Sequence, residues 1–552
     1  MPGVDQVIAG LVDELVADDP VLSTGLGLLE GLDALPSFSP AAVAARVALA
    51  HRGLEQLEPV AAEGAADRPP SAAAADAAAA VPLLHRLLRR YELRREHRVV
   101  PGLYLDQVSE ALLPLMMRDL APDAERLVAL ESRLLGVPGL FEEARANLEP
   151  GLPGVFVEKA IDQADDLLDL VGDTARDVAQ DLGRPGALDA ASAGARRAVA
   201  AFRDHLRDGL LPVSVAACGA GRAVLTDVLR HEHMLDETPE EIAAVGRGLI
   251  TETQAEMKEL AVALGHADVE AAVAAVRTVT PAAGRLVESY DRAVREARAY
   301  VVSRDLVTLI EGEELQVLAT PRCLRTVLPV AAYEAPGPFA GRQLGFYYVT
   351  PPPDGVGAES DGAHSFHCDA TLATTGVHEA YPGHHVQLTR GNRAPTLARR
   401  VAGAYGGGTL LVEGWAFYCE EMMEQQGFLA DPGVRLMRLN DQVWRACRVV
   451  IDAEIATGRM TFVEAVELLA REARMDRRLA ELEVRWYVER PGDPMSYLLG
   501  KREVVGLARQ FARSRTTSLK TFHDALLDWG CVSPRLVAWG LGLAGRPAAF
   551  SL

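Results

Sequence analysis

The sequence predicts a mainly α-helical protein with one small β-sheet near residues 315–350, built as a single large domain of 552 residues. Two observations predict the helices. Apolar residues recur at helical spacing along nearly the whole chain, as in Val7, Leu11, Leu15 and Val16, or in Leu83-Leu84-His85-Arg86-Leu87-Leu88-Arg89-Arg90. Helix-start signals precede several of these stripes. Thr238-Pro239-Glu240-Glu241 offers a capping threonine, a proline suited to the first helical position and a glutamate that completes a capping box; Thr461 and Glu464 repeat the box. A third observation predicts the sheet. Between Leu306 and Val349 the helical period gives way to short β-prone runs, Leu315 to Ala319, Val327 to Ala332 and Leu344 to Val349, broken by Pro and Gly.

Taken in order, residues 1–300 form an N-terminal helical part. An amphipathic helix in 1–35 is expected to close on a turn at Asp19-Pro20, and a second helix follows in 40–60. In the Ala-rich stretch 61–80, Pro69-Pro70 ends one helix and Ser71 caps the next. Helices continue through 71–150 and 155–210, and the helix opened by Thr238 should reach about Leu264. His231-Glu232-His233 carries two His at i and i+2, which cannot share a helix face, so no metal site is expected from that pair. The sheet occupies 306–350, active-site helices 370–426, and a C-terminal helical part 427–552. Gly406-Gly407-Gly408 breaks the chain before a helix over Thr409–Gln426. In a helix near Asn440–Ala456, Arg448 and Asp452 stand at i and i+4, the spacing of an ion pair.

Composition limits the function. Hydrophobic residues make up 49% and charged residues 24%, as in a soluble globular chain. The net charge of −21, from 77 acids against 56 bases, repels nucleic acid and anionic membrane, so neither is an expected partner. The opening Met-Pro-Gly-Val-Asp-Gln has no basic and then apolar leader pattern, and no apolar run has the length of a membrane span. The six Cys are scattered without short pairs, as free thiols of a reducing compartment are. These features together point to the cytoplasm.

The chemistry concentrates in Gly376-Val377-His378-Glu379-Ala380-Tyr381-Pro382-Gly383-His384-His385, where three of the 13 His fall within eight residues. Imidazole is the commonest protein ligand for zinc, and a neighbouring carboxylate can serve as general base toward an attacking water. On a straight helix His378 and His384 would lie roughly 9 Å apart along the axis and point about 120° away from each other. His385 would share the face of His378 but lie about 10.5 Å along it. Neither pair could grip one ion. Proline removes a helix donor and disfavours helical geometry at Tyr381, and glycine accepts unusual dihedrals. A break at Tyr381–Gly383 is therefore predicted, folding His384 back toward His378.

His-Glu-x-x-Pro-Gly-His followed by Gln387 resembles the signature of the domain-of-unknown-function 885 family, a zincin-like group of bacterial proteins. Glu413-Gly414-Trp415-Ala416-Phe417-Tyr418-Cys419-Glu420 is similar to a second block of that family, and Pro491-Gly492 with Ser496-Tyr497 and Gly500 to a third. The resemblance covers nearly the whole chain, reaching back to Asp19-Pro20 and Thr24-Gly25. It implies a large helical, zincin-like metallopeptidase architecture. Zn2+ is the cofactor expected from the ligand types, and manganese or cobalt could occupy the same site. Two departures stand out. The family's Asp-x-Gly-x-His ending is replaced by Asp452-Ala453-Glu454-Ile455-Ala456, and Asp493 stands where Gln is common.

On this reading His378, His384 and Glu413 hold the metal, leaving a fourth position for water. Glu413 lies opposite the apolar stripe Leu411, Trp415, Tyr418 and Met422, together with Glu420, which is a reserve ligand or an acceptor for a His N–H. Glu379 is the general base and Tyr497 a donor to the developing oxyanion. His385 is expected to support the ligands from behind or to face substrate rather than bind the metal. Arg448 is assigned to substrate, and so is Tyr348, because Gly345-Phe346-Tyr347-Tyr348 would be the strand edge that aligns a peptide, by likeness to zincin sheets. His364 and His367 lie in the loop before the motif. The expected reaction is hydrolysis of a peptide. The alternatives are hydrolysis of a small non-peptide amide and a non-enzymatic, degenerate scaffold.

Overall fold

Helices carry most of the chain in the computed structural model, which describes residues 3–282, 284–321, 324–325, 328, 330–351, 367–514 and 518–550. Their starts follow the local chemistry. Ser71 accepts from Ala74 N–H and opens Ala72–Leu88. Thr238 and Glu241 complete the capping box of Pro239–Ala263, and Thr461 and Glu464 that of Phe462–Glu472. Asp19-Pro20 is a helix start rather than the expected turn. Asp19 accepts from Val21 and Leu22 N–H at 3.1 and 3.0 Å, Pro20 takes the first helical position, and a short helix runs Pro20–Leu26. Cap and proline together favour a new helix over a bend.

The core around the site is built from helix crossings that need small residues. Pro432–Ala456, which begins earlier than the sequence suggests, packs along Pro239–Ala263. A Cβ on Gly246 would come within 2.8 Å of Val450 there. Thr409–Gln425 crosses Asp493–Ser514 more tightly still. A Cβ on Gly414 would lie 2.3 Å from the Gly500 carbonyl carbon, and one on Gly500 would lie 1.8 Å from the Leu410 oxygen. No real Cβ tolerates such distances. The crossing brings together the turn that carries Glu413 and the turn that carries Tyr497.

The sheet has three strands, β1 (Glu314–Ala319), β2 (Ala331–Glu334) and β3 (Leu344–Val349), in the order β1–β3–β2. β1 runs parallel to β3 with Leu318 opposite Tyr348; β2 runs antiparallel to it with Tyr333 opposite Tyr347. This corrects the strand-edge expectation. β3 is the central strand, both its sides are hydrogen-bonded, and Tyr348 is 2% exposed. Its continuous apolar character reflects burial on both faces, which central strands require. Tyr348 therefore cannot line a substrate edge. Val327, expected at the start of the middle strand, lies outside the described residues.

Among the described residues no helix is long and apolar enough to cross a membrane. The described cysteines, Cys218, Cys368, Cys419, Cys447 and Cys531, are free thiols.

Candidate metal centre

The motif helix runs Asp369–Glu379 and stops. Ala380 leaves helical geometry, the Tyr381–Pro382 bond is cis, and a new helix, His384–Gly391, begins at once. The break falls where the proline and glycine predict it, one residue sooner. Gly383 closes it: its N–H donates to Val377 O at 3.0 Å. A Cβ on Gly383 would lie 1.8 Å from the His378 carbonyl oxygen, so any side chain would force the turn open. The result is a right-angled pair of rings, His378 and His384, with centroids 4.8 Å apart and planes at 90°.

The third candidate ligand comes from Thr409–Gln425, which starts after Gly408 in left-handed geometry. Its stripe Leu411, Trp415, Tyr418 and Met422 is buried, as its spacing predicts. Glu413 Oε2 on the other side lies 3.5 Å from His378 Nε2 and 3.4 Å from His384 Nε2. One ligand atom from each of the three residues falls within 4.8 Å of the others. These separations exceed an ordinary N–H···O bond. The buried Glu413 Oε2 has no hydrogen-bond partner among the described residues. A buried carboxylate oxygen facing two imidazole nitrogens, with none close enough to bond, is a donor set that a cation would satisfy. Glu420 does not join this set of three. It accepts from His378 Nδ1 at 2.8 Å, which fixes the ring and turns Nε2 inward.

The electrostatics fit a compact set of ligands. Burial works against a charged His378 ring, but Glu413 and Glu420 more than reverse it and raise its pKa to about 10. Burial opposes the Glu413 carboxylate too, yet the two His pull its pKa well below the usual range. Glu379 is half-buried; burial raises its pKa, partly countered by His378, His384 and the backbone N–H of Tyr333 on β2. A half-buried carboxylate that holds a proton more tightly than usual, beside these two His, is suited to take one up. Tyr497 is half-buried, its ring nearly parallel to that of His378 at 14° with centroids 6.2 Å apart. Burial, then the nearby Glu413 charge, push its pKa up, so it keeps its proton.

Other predicted residues fall elsewhere. His385 is 0% exposed and cannot meet a substrate. Its Nε2 and the Tyr381 hydroxyl share Glu313 Oε2, each at 2.6 Å. With Nε2 donating, Nδ1 accepts from the Tyr333 hydroxyl at 3.0 Å. His385 is thus a strut that ties the motif to β2, the strand whose backbone faces Glu379. Sequence reasoning missed Glu313, because nothing local separates it from Glu311 and Glu314 in the same acidic run. Arg448 does not pair with Asp452. Its Nε donates to Tyr487 Oη at 2.9 Å and its Nη2 to Glu483 at 2.8 Å. Asp452 instead accepts from the backbone N–H groups of Gly492 and Met495. Partners on other helices win over the i,i+4 spacing. Arg448 still reaches the site, its guanidinium carbon 4.5 Å from the centre of the Tyr497 ring. His367 bonds Tyr290 and the Thr350 carbonyl, a structural role; His364 lies outside the described residues.

A second close set joins His231 not to His233 but to His85 and Asp227. Its His rings are stacked 3.8 Å apart at 18°, so one ion cannot lie in the plane of both, and Asp227 is paired with Arg89. His233 bonds the Gly492 carbonyl, and Glu232 is held by Arg86 and Arg89.

Comparisons with known proteins bear on the fold. A family described as "Bacterial protein of unknown function (DUF885)" matches residues 20–539. None of the curated proteins matches the chain. A solved structure from Shewanella oneidensis, titled a "putative lipoprotein of unknown function", is similar with a TM-score of 0.73 at 21% identity, covering 97% of this chain and 99% of that one. Another from Colwellia psychrerythraea, titled a "putative lipoprotein", gives 0.78 at 17% identity and covers 98% of each chain.

Proposed function

The chain belongs to the DUF885 family of bacterial proteins, whose description assigns no activity, and from the site itself we propose that it is a metal-dependent hydrolase, a zinc peptidase with a zincin-like arrangement. One observation carries this reading: His378, His384 and Glu413 bring three ligand atoms together beside a half-buried carboxylate, Glu379, of raised pKa. His378 and His384 through Nε2, and Glu413 through Oε2, would hold the ion. When bound, zinc supplies Lewis acidity that polarises a carbonyl and makes water nucleophilic near neutral pH.

The chain's own residues do the rest. Glu379 accepts the proton of the attacking water on a carboxylate oxygen and passes it to the leaving amine nitrogen. Tyr497 keeps its hydroxyl proton and donates it as a hydrogen bond to the oxygen that gains charge. Glu420 holds His378 in register. β2, an edge strand close to Glu379, is the strand a peptide would extend. The same groups would cleave a small non-peptide amide, and a library of both substrate kinds separates the two. The free cysteines favour a cytoplasmic setting, whereas "lipoprotein" in the titles of the structural neighbours would favour a membrane anchor; cell fractionation separates these.

The test is a metal assay with one variant. Purified protein should carry or take up about one zinc per chain, and Glu379→Gln should keep the metal while losing turnover by at least ~100-fold. Full activity in metal-loaded Glu379→Gln, or no metal uptake by the intact protein, sinks the reading.

A further inference from the structure

Beside the candidate centre stand two arginines whose hydrogen-bonding capacity is unfilled. Arg445 and Arg448 lie three residues apart on Pro432–Ala456, on one face of the helix. Arg445 keeps only 13% of its side chain exposed, yet its Nε and Nη1 have no hydrogen-bond partner among the described residues. Asp441 is its nearest acid, at 3.8 Å, beyond bonding distance. Arg448 is more deeply buried and engages Tyr487 and Glu483, but its Nη1 is unpartnered as well. Buried charged donors without acceptors are costly, so a group that accepts from both arginines would be favoured here.

Their position ties them to the site. Both guanidinium groups face the Tyr497 ring, with carbons 5.8 and 4.5 Å from its centre, and that ring runs alongside His378. Trp444 also supports both, at 4.0 and 4.6 Å. With aromatic rings beside both groups, their unpaired N–H donors are what a ligand would meet. A planar edge of N–H donors matches a carboxylate, which takes two parallel bonds. Tyr497 and Arg445 are partly exposed beside these shielded nitrogens, which is the side from which a ligand would approach. At ~3.4 Å per extended residue, the arginines stand no more than about three residues from the His378 ring.

We propose that Arg445 and Arg448 form a receptor for the free carboxylate of a peptide, so that cleavage falls within about the last three residues of the substrate. This assignment rests on the hydrolase reading for its consequence but not for its test, because binding can be measured without turnover. The probe is a library of Nα-acetyl tripeptides prepared both as free acids and as C-terminal amides. Binding is followed by the fluorescence of Trp444 and Trp486, which flank Arg448. The measurement is made on intact protein, with zinc, after chelation, and in Glu379→Gln.

The expected result is that acids bind at least about 30-fold more tightly than the matching amides, in all three preparations. In Arg445→Gln, checked for an unchanged thermal midpoint, acids should fall to the level of amides. Equal binding of acids and amides by the intact protein overturns the proposal without using any variant, and so does binding of neither. Failure of the hydrolase reading looks different: acid preference persists, but no peptide is cleaved by the zinc-loaded protein.

Discussion

The indole N–H of Trp415 donates to the carbonyl oxygen of Pro382 at 2.8 Å. One bond thereby joins the turn that folds His384 back to the helix that delivers Glu413, two residues before Trp415. Pro382 has no N–H of its own to give, so its carbonyl is the backbone atom through which this residue can be held. Trp415 is 0% exposed, which makes that bond costly to lose.

Trp415→Phe keeps most of the ring and removes the donor. It should lower stability by about 1–3 kcal/mol, since the Pro382 oxygen is left unsatisfied. Zinc affinity should fall with it, because His384 and Glu413 lose their common reference. Chemical denaturation and chelator competition check both.

Glu420→Gln tests the support of His378. The carboxylate that accepts from Nδ1 becomes an amide, and zinc affinity should drop by about 10–100-fold, the usual effect of a ligand's supporting partner. Glu413→Gln alters a proposed ligand itself, and its loss of zinc should be the greater of the two.

Gly500→Ala places a methyl group 1.8 Å from the Leu410 oxygen. The helices Thr409–Gln425 and Asp493–Ser514 must then separate, which should cost at least ~1–3 kcal/mol. Because the crossing sets Tyr497 against the Glu413 turn, activity toward peptides should fall even where the variant remains folded. A thermal melt alongside an activity assay at low temperature distinguishes the two losses.

The raised pKa of His378 sets the pH response of the metal-free protein. Its folded value, about 10, lies above the ordinary value of 6.5, so the folded state holds the proton more tightly. The stability this contributes is fully present below pH 6.5 and is lost as pH rises through about 10. The thermal midpoint of chelated protein should therefore decline over that window. On the proposed reading a bound zinc would replace that proton, so the zinc-loaded protein should lose this component of the decline. Zinc binding at neutral pH should also release a proton into the buffer, which calorimetry in two buffers detects. An identical decline with and without zinc would falsify this account.

Much of the site is legible in the sequence because its signals are local. His378, Glu379, Pro382, Gly383 and His384 are neighbours in the chain, and the incompatibility of proline with a continuous helix predicts the break that unites them. Glu413 and Glu420 are set by position on one helix, opposite a stripe whose apolar period fixes the buried side. Capping boxes at Thr238 and Thr461 are likewise complete within four residues.

The tertiary structure alone decided what depends on distant partners. His385 has the residue type of a ligand or substrate contact, yet Glu313 and Tyr333, from the strand region, turn it into a buried strut. Asp452 has the spacing to pair with Arg448, but backbone N–H groups at the start of another helix reach it first. The run around Tyr348 reads as a strand in any context; only the strand order makes it central rather than an edge. The physical reason is the same in each case. Helical period, caps and proline breaks are fixed by atoms a few residues apart, whereas the partner of a buried polar group is chosen by whichever chain segment packs closest to it.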